Sequence, residues 1–212
     1  FGATQFSPEF FGFLFSKSYN IFYILLYMAL TKTPICDFGK KAENFQLKST
    51  DNKIVSLNDI KGQKGTLIMF ICNHCPYVKA VIEDIVEDTN KLIDFGINSV
   101  GICSNDVKNY PEDSFENMIK FSKENNFKFS YLIDESQKVA KSYDAVCTPD
   151  FFGYNKDLEL QYRGRIRELK ELKPLRGGES DLFRAMKQIS ETGKGPENQI
   201  PSMGCNIKWL NN

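Results

Sequence analysis

Cys72 and Cys75 are the only close pair among six cysteines, in the run Phe70-Ile71-Cys72-Asn73-His74-Cys75-Pro76-Tyr77. Two thiols at this spacing close a reversible disulfide if one helical turn brings them to a common face, so the pair points to thiol-disulfide exchange. The expected arrangement puts Cys72 at the N-cap of a helix and Cys75 within its first turn. Unpaired amides and the positive end of the helix dipole there favour thiolate over thiol, which lowers the pKa of Cys72 and makes it the nucleophile. Cys75 then attacks the mixed disulfide and releases the reduced partner. Pro76 fits a helix start, because its missing N–H has no carbonyl to serve in the first turn. The bland alternative is a buried pair of unreactive thiols.

His74 is the only histidine. Between the two cysteines its ring can donate to the Cys72 sulfur or carry positive charge beside it, stabilising the reduced thiolate and making the protein more oxidising. Its bland alternative is a solvated loop residue. A metal-binding chaperone is a non-redox reading, with Cys72, Cys75, His74 and either Cys147 or Cys205 as zinc or copper ligands. Closed zinc sites usually draw on two ligand pairs and the second pair is missing, so neither a metal nor a cofactor is assigned.

The elements that must position these residues follow from the apolar pattern. Residues 67–71 are a continuous apolar run, as in a strand buried on both faces, and lead directly into Cys72. Val81, Ile82, Ile85, Val86, Leu92 and Ile93 recur at helical spacing until Gly96. Strands are expected at 98–103 and 130–133, and helices at 113–124, 137–143 and 180–191. Turn formers at 49–53 and 155–157 mark an N-terminal and a terminal hairpin. Strand and helix in alternation imply an α/β fold, a central mixed sheet flanked by helices with an N-terminal β-hairpin extension. Residues 194–212 read as a C-terminal tail.

Composition sets the frame. A chain of 212 residues can bury one full-sized core. Lys and Arg number 27 against 27 Asp and Glu, so no long-range field attracts nucleic acid or an anionic membrane. Six scattered cysteines are too few for a disulfide scaffold and suit thiols in a reducing compartment, which makes the expected location cytoplasmic. The apolar stretch 10–30 is broken near its middle, and its uninterrupted part is short of the ~20 residues a spanning helix needs. Met28 reads like a natural start, so residues 1–27 are expected to be upstream translation. Should residues 1–33 be a real leader or anchor instead, membrane attachment follows, and the folded domain is taken as 34–212. Arg163, Arg165, Arg167, Lys170, Lys173 and Arg176 are read as a solvated loop.

From about Pro34 onward the chain resembles the bacterial thioredoxin-like redoxins of the alkyl hydroperoxide reductase and thiol-specific antioxidant (AhpC/TSA) group, in a branch with a Cys-Asn-His-Cys-Pro active site. The segments that carry the resemblance are 72–78, 104–106, 110–114, Cys147-Thr148-Pro149-Asp150-Phe151-Phe152, 162–164 and 201–209. It implies a thioredoxin-like fold, Cys72 and Cys75 as the active pair, and Pro149 as a cis-proline facing them. Backbone beside Thr148-Pro149 would then pair with an extended substrate strand. The implied partners are a disulfide-bearing protein or small molecule and a thiol reductant. Cys147 and Cys205, both in motifs of this branch, are candidates for relaying a disulfide; Cys36 and Cys103 are taken as core or surface thiols.

Two departures shape the functional expectation. Thioredoxins carry Trp before the first cysteine and Gly-Pro between the pair, where this chain has Ile71 and Asn73-His74. Peroxiredoxins place Pro and Thr ahead of the peroxidatic cysteine, at positions that are Gly65 and Met69 here. A thiol-dependent peroxidase therefore ranks second to a thiol-disulfide oxidoreductase. The buried acid that thioredoxins place behind the site falls near Thr66, where there is no carboxylate.

Overall fold

The computed structural model describes residues 30–210, so the expectation for residues 1–27 lies outside the described residues. The strands are β1 (Leu30–Lys32), β2 (Gln46–Ser49), β3 (Ile54–Ser56), β4 (Gly65–Phe70), β5 (Ile97–Cys103), β6 (Ser130–Ile133), β7 (Cys147–Thr148), β8 (Asp150–Asn155), β9 (Leu160–Tyr162), β10 (Leu169–Lys170), β11 (Lys173–Pro174) and β12 (Met203–Asn206). The helices are α1 (Leu57–Ile60), α2 (Pro76–Leu92), α3 (Phe115–Glu124), α4 (Lys138–Ser142) and α5 (Asp181–Thr192). Among the described residues no helix is long and apolar enough to cross a membrane.

Seven strands form a mixed sheet in the order β3-β2-β6-β5-β4-β8-β9. β4, β5 and β6 are parallel neighbours, and the crossovers that parallel pairing demands are α2 and α3. The hairpin β8–β9 joins β4 antiparallel, and the hairpin β2–β3 joins β6 antiparallel. Every residue of β4 is buried, which is what its unbroken apolar run requires of a central strand. α2 turns Val78, Val81, Ile82, Ile85 and Leu92 inward, and Gly96 closes the following turn at φ 71°, a conformation glycine adopts without strain. α5 is capped by Ser180, whose hydroxyl accepts from the Phe183 amide at 2.8 Å, and it buries Leu182, Phe183, Ala185, Met186 and Ile189. The mixed α/β sheet and the two hairpins are those expected.

The C-terminal segment is more than a tail. β12 is the middle strand of a three-stranded sheet ordered β1-β12-β7, with Cys205 opposite Thr148 and Asn206 opposite Cys147. The approach depends on Gly204, because a Cβ there would stand 2.1 Å from the Thr148 carbonyl oxygen. Thr33, placed in the leader by the sequence reading, is buried: its amide donates to Ser202 O at 2.9 Å and its hydroxyl accepts from Ser202 N at 3.0 Å.

Lys170, Lys173 and Arg176 of the basic run are exposed as expected, but its first three arginines are not a solvated loop. Arg163, 6% exposed, forks onto Asp150 through Nη2–Oδ2 at 2.9 Å and Nε–Oδ1 at 3.3 Å, and lies 4.4 Å over the Phe152 ring. Arg165 pairs with Asp181 at 2.7 Å and Arg167 with the buried Asp84 at 3.1 Å. The partners sit on β8, α5 and α2, far away in sequence, so no local charge pattern announces them.

Candidate active site

β4 carries the chain to Ile71, whose amide donates to Ile102 O at 3.0 Å and holds the end of the strand against β5. The next four residues are not helical. α2 begins at Pro76, and its N-cap is Cys75, with φ −62° and ψ 121°. This corrects the expectation of Cys72 at the N-cap. The reason is local: a proline ring excludes the preceding residue from the helical region, so Cys75 must be extended and the helix cannot start before Pro76. Cys72 thus lies in a loop ahead of the helix, and at 1% exposure it is not the open thiol that was expected.

A buried carboxylate organises that loop. Asp113, 0% exposed, accepts the Asn73 amide at 2.8 Å and the His74 amide at 3.2 Å on Oδ1. Its Oδ2 accepts from Asn105 Nδ2 at 2.8 Å and meets His74 Nδ1 at 2.6 Å. Asn73 is fixed further, its Nδ2 donating to Glu112 O at 3.0 Å and its Oδ1 accepting from the Tyr131 hydroxyl at 3.0 Å. The His74 ring stacks on Tyr110 at 5.6 Å between centroids. His74 is therefore a fixed part of the site rather than a solvated loop residue. The buried acid is absent from position 66, where the Thr66 hydroxyl accepts from Gly62 N at 3.1 Å; it reaches the loop from Asp113 instead.

The sulfurs meet the cis-proline strand. The Thr148–Pro149 bond is cis. Cys72 Sγ is 3.4 Å from Thr148 Oγ1 and 4.0 Å from His74 Nδ1. Cys75 Sγ is 3.1 Å from Thr148 O and 3.0 Å from Cys205 Sγ. All are free thiols, and Cys72, Cys75 and Cys205 are almost completely buried. The expected residues Cys72, His74, Cys75, Thr148 and Pro149 are thus brought together, and Cys205 joins them. Cys147 is buried too, but among the described residues the one hydrogen-bond partner of its sulfur is Pro149 O at 3.5 Å. Cys103 lies in the core with its thiol pushed up to about 12 by burial, and Cys36 is half-buried with its thiol pushed up to about 11 by the same cause.

Charge within the thiol cluster is unequal. Burial opposes a thiolate at Cys75. Hydrogen bonds from the Cys205 and Cys72 thiols and the Thr148 side chain, together with the Val78 amide of the first helical turn, outweigh burial and hold Cys75 far below the ordinary thiol range. Burial pushes Cys72 up, reinforced by its bond to Cys75 and by the negative charge of Asp113. Cys205 is pushed up first by its hydrogen bond to Cys75 and then by burial. The expectation of a lowered Cys72 pKa is thereby reversed: the N-cap site favours charge on Cys75, where Pro76 has moved it.

Cys72, His74 and Asp113 offer ligand atoms within 4.8 Å of one another, yet the Asp113 oxygens are already taken up by three N–H donors and the imidazole. Asp113 is the residue that sequence reasoning assigned no role. Its one signal was its place in the segment Tyr110–Ser114, where an acid just before Ser114 reads as part of a helix start.

Residues 38–169 match the model of the AhpC/TSA family. An uncharacterised conserved protein from Geobacillus kaustophilus, known from its crystal structure, is 41% identical, with a TM-score of 0.82 over 87% of this chain and 98% of that chain. Thiol-disulfide oxidoreductase ResA from Bacillus thuringiensis subsp. konkukian (strain 97-27) is 28% identical over 147 residues, 66% of this chain and 73% of that protein. The thioredoxin domain of a thiol-disulfide oxidoreductase from Bacteroides vulgatus superposes with a TM-score of 0.51 at 20% identity, covering 59% of this chain and 86% of that chain, a likeness of fold alone. The fold is thioredoxin-like, and two of these three relatives are thiol-disulfide oxidoreductases.

Proposed function

We propose that this chain, which belongs to the AhpC/TSA family, is a thiol-disulfide oxidoreductase that exchanges electrons with protein or small-molecule disulfides through Cys72 and Cys75. The observation that carries the reading is the placement of both sulfurs against Thr148 and the cis-proline, at 3.4 Å from its hydroxyl and 3.1 Å from its carbonyl oxygen. A thiol reductant returns the pair to its reduced form.

The charge distribution supports a specific order of events. In the reduced protein hydrogen bonds favour the negative charge on Cys75, and burial favours the proton on Cys72. As a disulfide arrives, the Cys72 sulfur attacks one substrate sulfur, the S–S bond of the substrate breaks, and the Cys72 proton passes to the substrate thiolate that leaves. Cys75, already a thiolate, then attacks Cys72, closes the Cys72–Cys75 disulfide and expels the second substrate thiolate. Two electrons pass from the protein to the substrate. His74 and Thr148 flank the Cys72 sulfur, and Asp113 holds the loop that positions both. The backbone pairing expected for a substrate strand at Cys147–Thr148 is already occupied by β12, so a substrate strand must displace β12 or dock elsewhere.

One observation favours a second reading. The hydroxyl that peroxiredoxins supply from a threonine is absent at Met69, but Thr148 Oγ1 lies 3.4 Å from the Cys72 sulfur. A thiol-dependent peroxidase would use that hydroxyl. Insulin-disulfide and hydroperoxide assays run side by side with one thiol donor separate the two: disulfide reduction is expected to be the faster, and peroxide turnover without disulfide reduction overturns the proposal. Roles within the pair are tested by trapping. Cys75→Ser is expected to stop turnover and accumulate mixed disulfides on Cys72, whereas Cys72→Ser captures nothing; the opposite pattern makes Cys75 the attacking thiol.

A further inference from the structure

We propose that Cys205 is a third exchange thiol, so that the oxidised protein interconverts between a Cys72–Cys75 disulfide and a Cys75–Cys205 disulfide with Cys75 as the shared sulfur. The inference rests on the thiol-disulfide reading above and adds a residue from the far end of the chain, beyond the residues 38–169 that match the family model.

Geometry carries it. Cys205 Sγ stands 3.0 Å from Cys75 Sγ, so bond formation needs the sulfurs to close by about 1 Å, within what a side-chain torsion supplies. The contact is built rather than incidental. β12 pairs with β7 so that Cys205 lies opposite Thr148, Gly204 allows the backbones to meet, and the Ser202 hydroxyl donates to Pro149 O at 2.8 Å. The C-terminal strand thus occupies the backbone edge beside the cis-proline, and it presents its own cysteine there. At 2% exposure Cys205 is withdrawn from reagents in solution, while its sulfur faces the redox pair.

The exchange balances without an added oxidant or reductant. Cys205 loses its proton and attacks the Cys75 sulfur of the Cys72–Cys75 disulfide. The Cys72–Cys75 bond breaks, the Cys75–Cys205 bond forms, and Cys72 leaves as a thiolate that takes up the proton. No net electron transfer occurs. The oxidising equivalents move to the interior pair, and Cys72 becomes a free thiol in a protein that is still oxidised.

The test uses the full chain, reduced, then oxidised with diamide, blocked with N-ethylmaleimide in acid, and mapped by peptide mass spectrometry. Wild type is expected to give both the disulfide internal to the peptide holding Cys72 and Cys75 and the cross-link from Cys75 to Cys205. Cys205→Ala should give only the first. Cys72→Ser should lose the mass of two hydrogens and give only the cross-link, and Cys72→Ala provides the same readout should the serine variant fold poorly. Retention of both thiols by both Cys72 variants, under conditions that close Cys72–Cys75 in wild type, overturns the inference. If wild type instead fails to close Cys72–Cys75 while the Cys72 variants form the cross-link, the function proposed above and the exchange both fall, and Cys75–Cys205 is the redox pair.

Discussion

Cys205→Ala is expected to raise the pKa of Cys75 in the reduced protein, and the contact at 3.0 Å allows the size to be worked out. Cys75 is held down to about 2, against burial, by four donors: the Cys205 thiol, the Cys72 thiol, the Thr148 side chain and the Val78 amide. A hydrogen bond to a charged group is worth about 1.5–3 kcal/mol, and a thiol is a weak donor, so the lower end applies. Losing about 1.5 kcal/mol moves the pKa up by about one unit. Thiolate absorbance near 240 nm, followed from pH 9 downwards, measures this directly, with reduced Cys75→Ser identifying the part of the signal due to Cys75. The linkage sign is definite: a thiol with a folded pKa below its unfolded value of about 8.5 contributes stability that is complete above that value and is lost as pH falls through the folded pKa. Reduced wild type should therefore carry one thiolate at pH 6 that Cys75→Ser lacks. If the two proteins absorb equally there, charge does not reside on the helix N-cap sulfur and the assignment of Cys75 as the resident thiolate fails.

Other consequences are open to measurement. His74→Ala removes the ring 4.0 Å from Cys72 Sγ and should lower the reduction potential of the Cys72–Cys75 disulfide by about 10–30 mV in a glutathione titration, equivalent to a hydrogen bond of about 0.5–1.5 kcal/mol; an unchanged potential returns His74 to a packing role. Asp88 is pushed up to about 6, chiefly by burial, so its contribution to stability is present at low pH and is lost as pH rises through that value. Asp88→Asn keeps an acceptor for the Ser180 hydroxyl and should stabilise the protein by up to about 3 kcal/mol at pH 7.5 and not at pH 4, as read by urea denaturation; a loss of stability at pH 7.5 would contradict this. Arg163→Met strands the buried Asp150 carboxylate next to the cis-proline and should cost about 3–5 kcal/mol in the same assay, a cost below about 1 kcal/mol being incompatible with the ion pair as described.

Much of the fold was legible because its signals are local. The unbroken apolar run of β4 could only be a central strand, the helical spacing after Val78 ran to a glycine stop, and the turn formers between β2 and β3 and between β8 and β9 stood where the hairpins turn. The helix start differs from the expectation despite a local signal. A first helical turn holding Cys75 tolerates Pro76, but the restriction a proline places on the residue before it puts the boundary at Pro76 itself. That shift changes the chemistry, since the favourable N-cap environment passes from one sulfur to the other.

What stayed hidden depends on contacts between distant parts of the chain. Asp113 comes to the loop across 40 residues, and Cys205 reaches Cys75 across 130. No periodicity or spacing encodes such distances. Gly204 is informative only once β7 is known to lie beneath it, because the same residue in an isolated tail reads as a loop former. The three features share one physical logic: a short extended loop cannot hold two sulfurs in register by itself, having no helical hydrogen bonds of its own. Asp113 supplies acceptors for its free amides from one direction, and β12 closes it from the other through Cys205. A buried acid that only neutralised a charge would need one partner, whereas Asp113 engages two backbone amides, an amide side chain and the imidazole. The carboxylate is therefore first a replacement for missing secondary structure, and its electrostatic effect on Cys72 follows from where the loop required it.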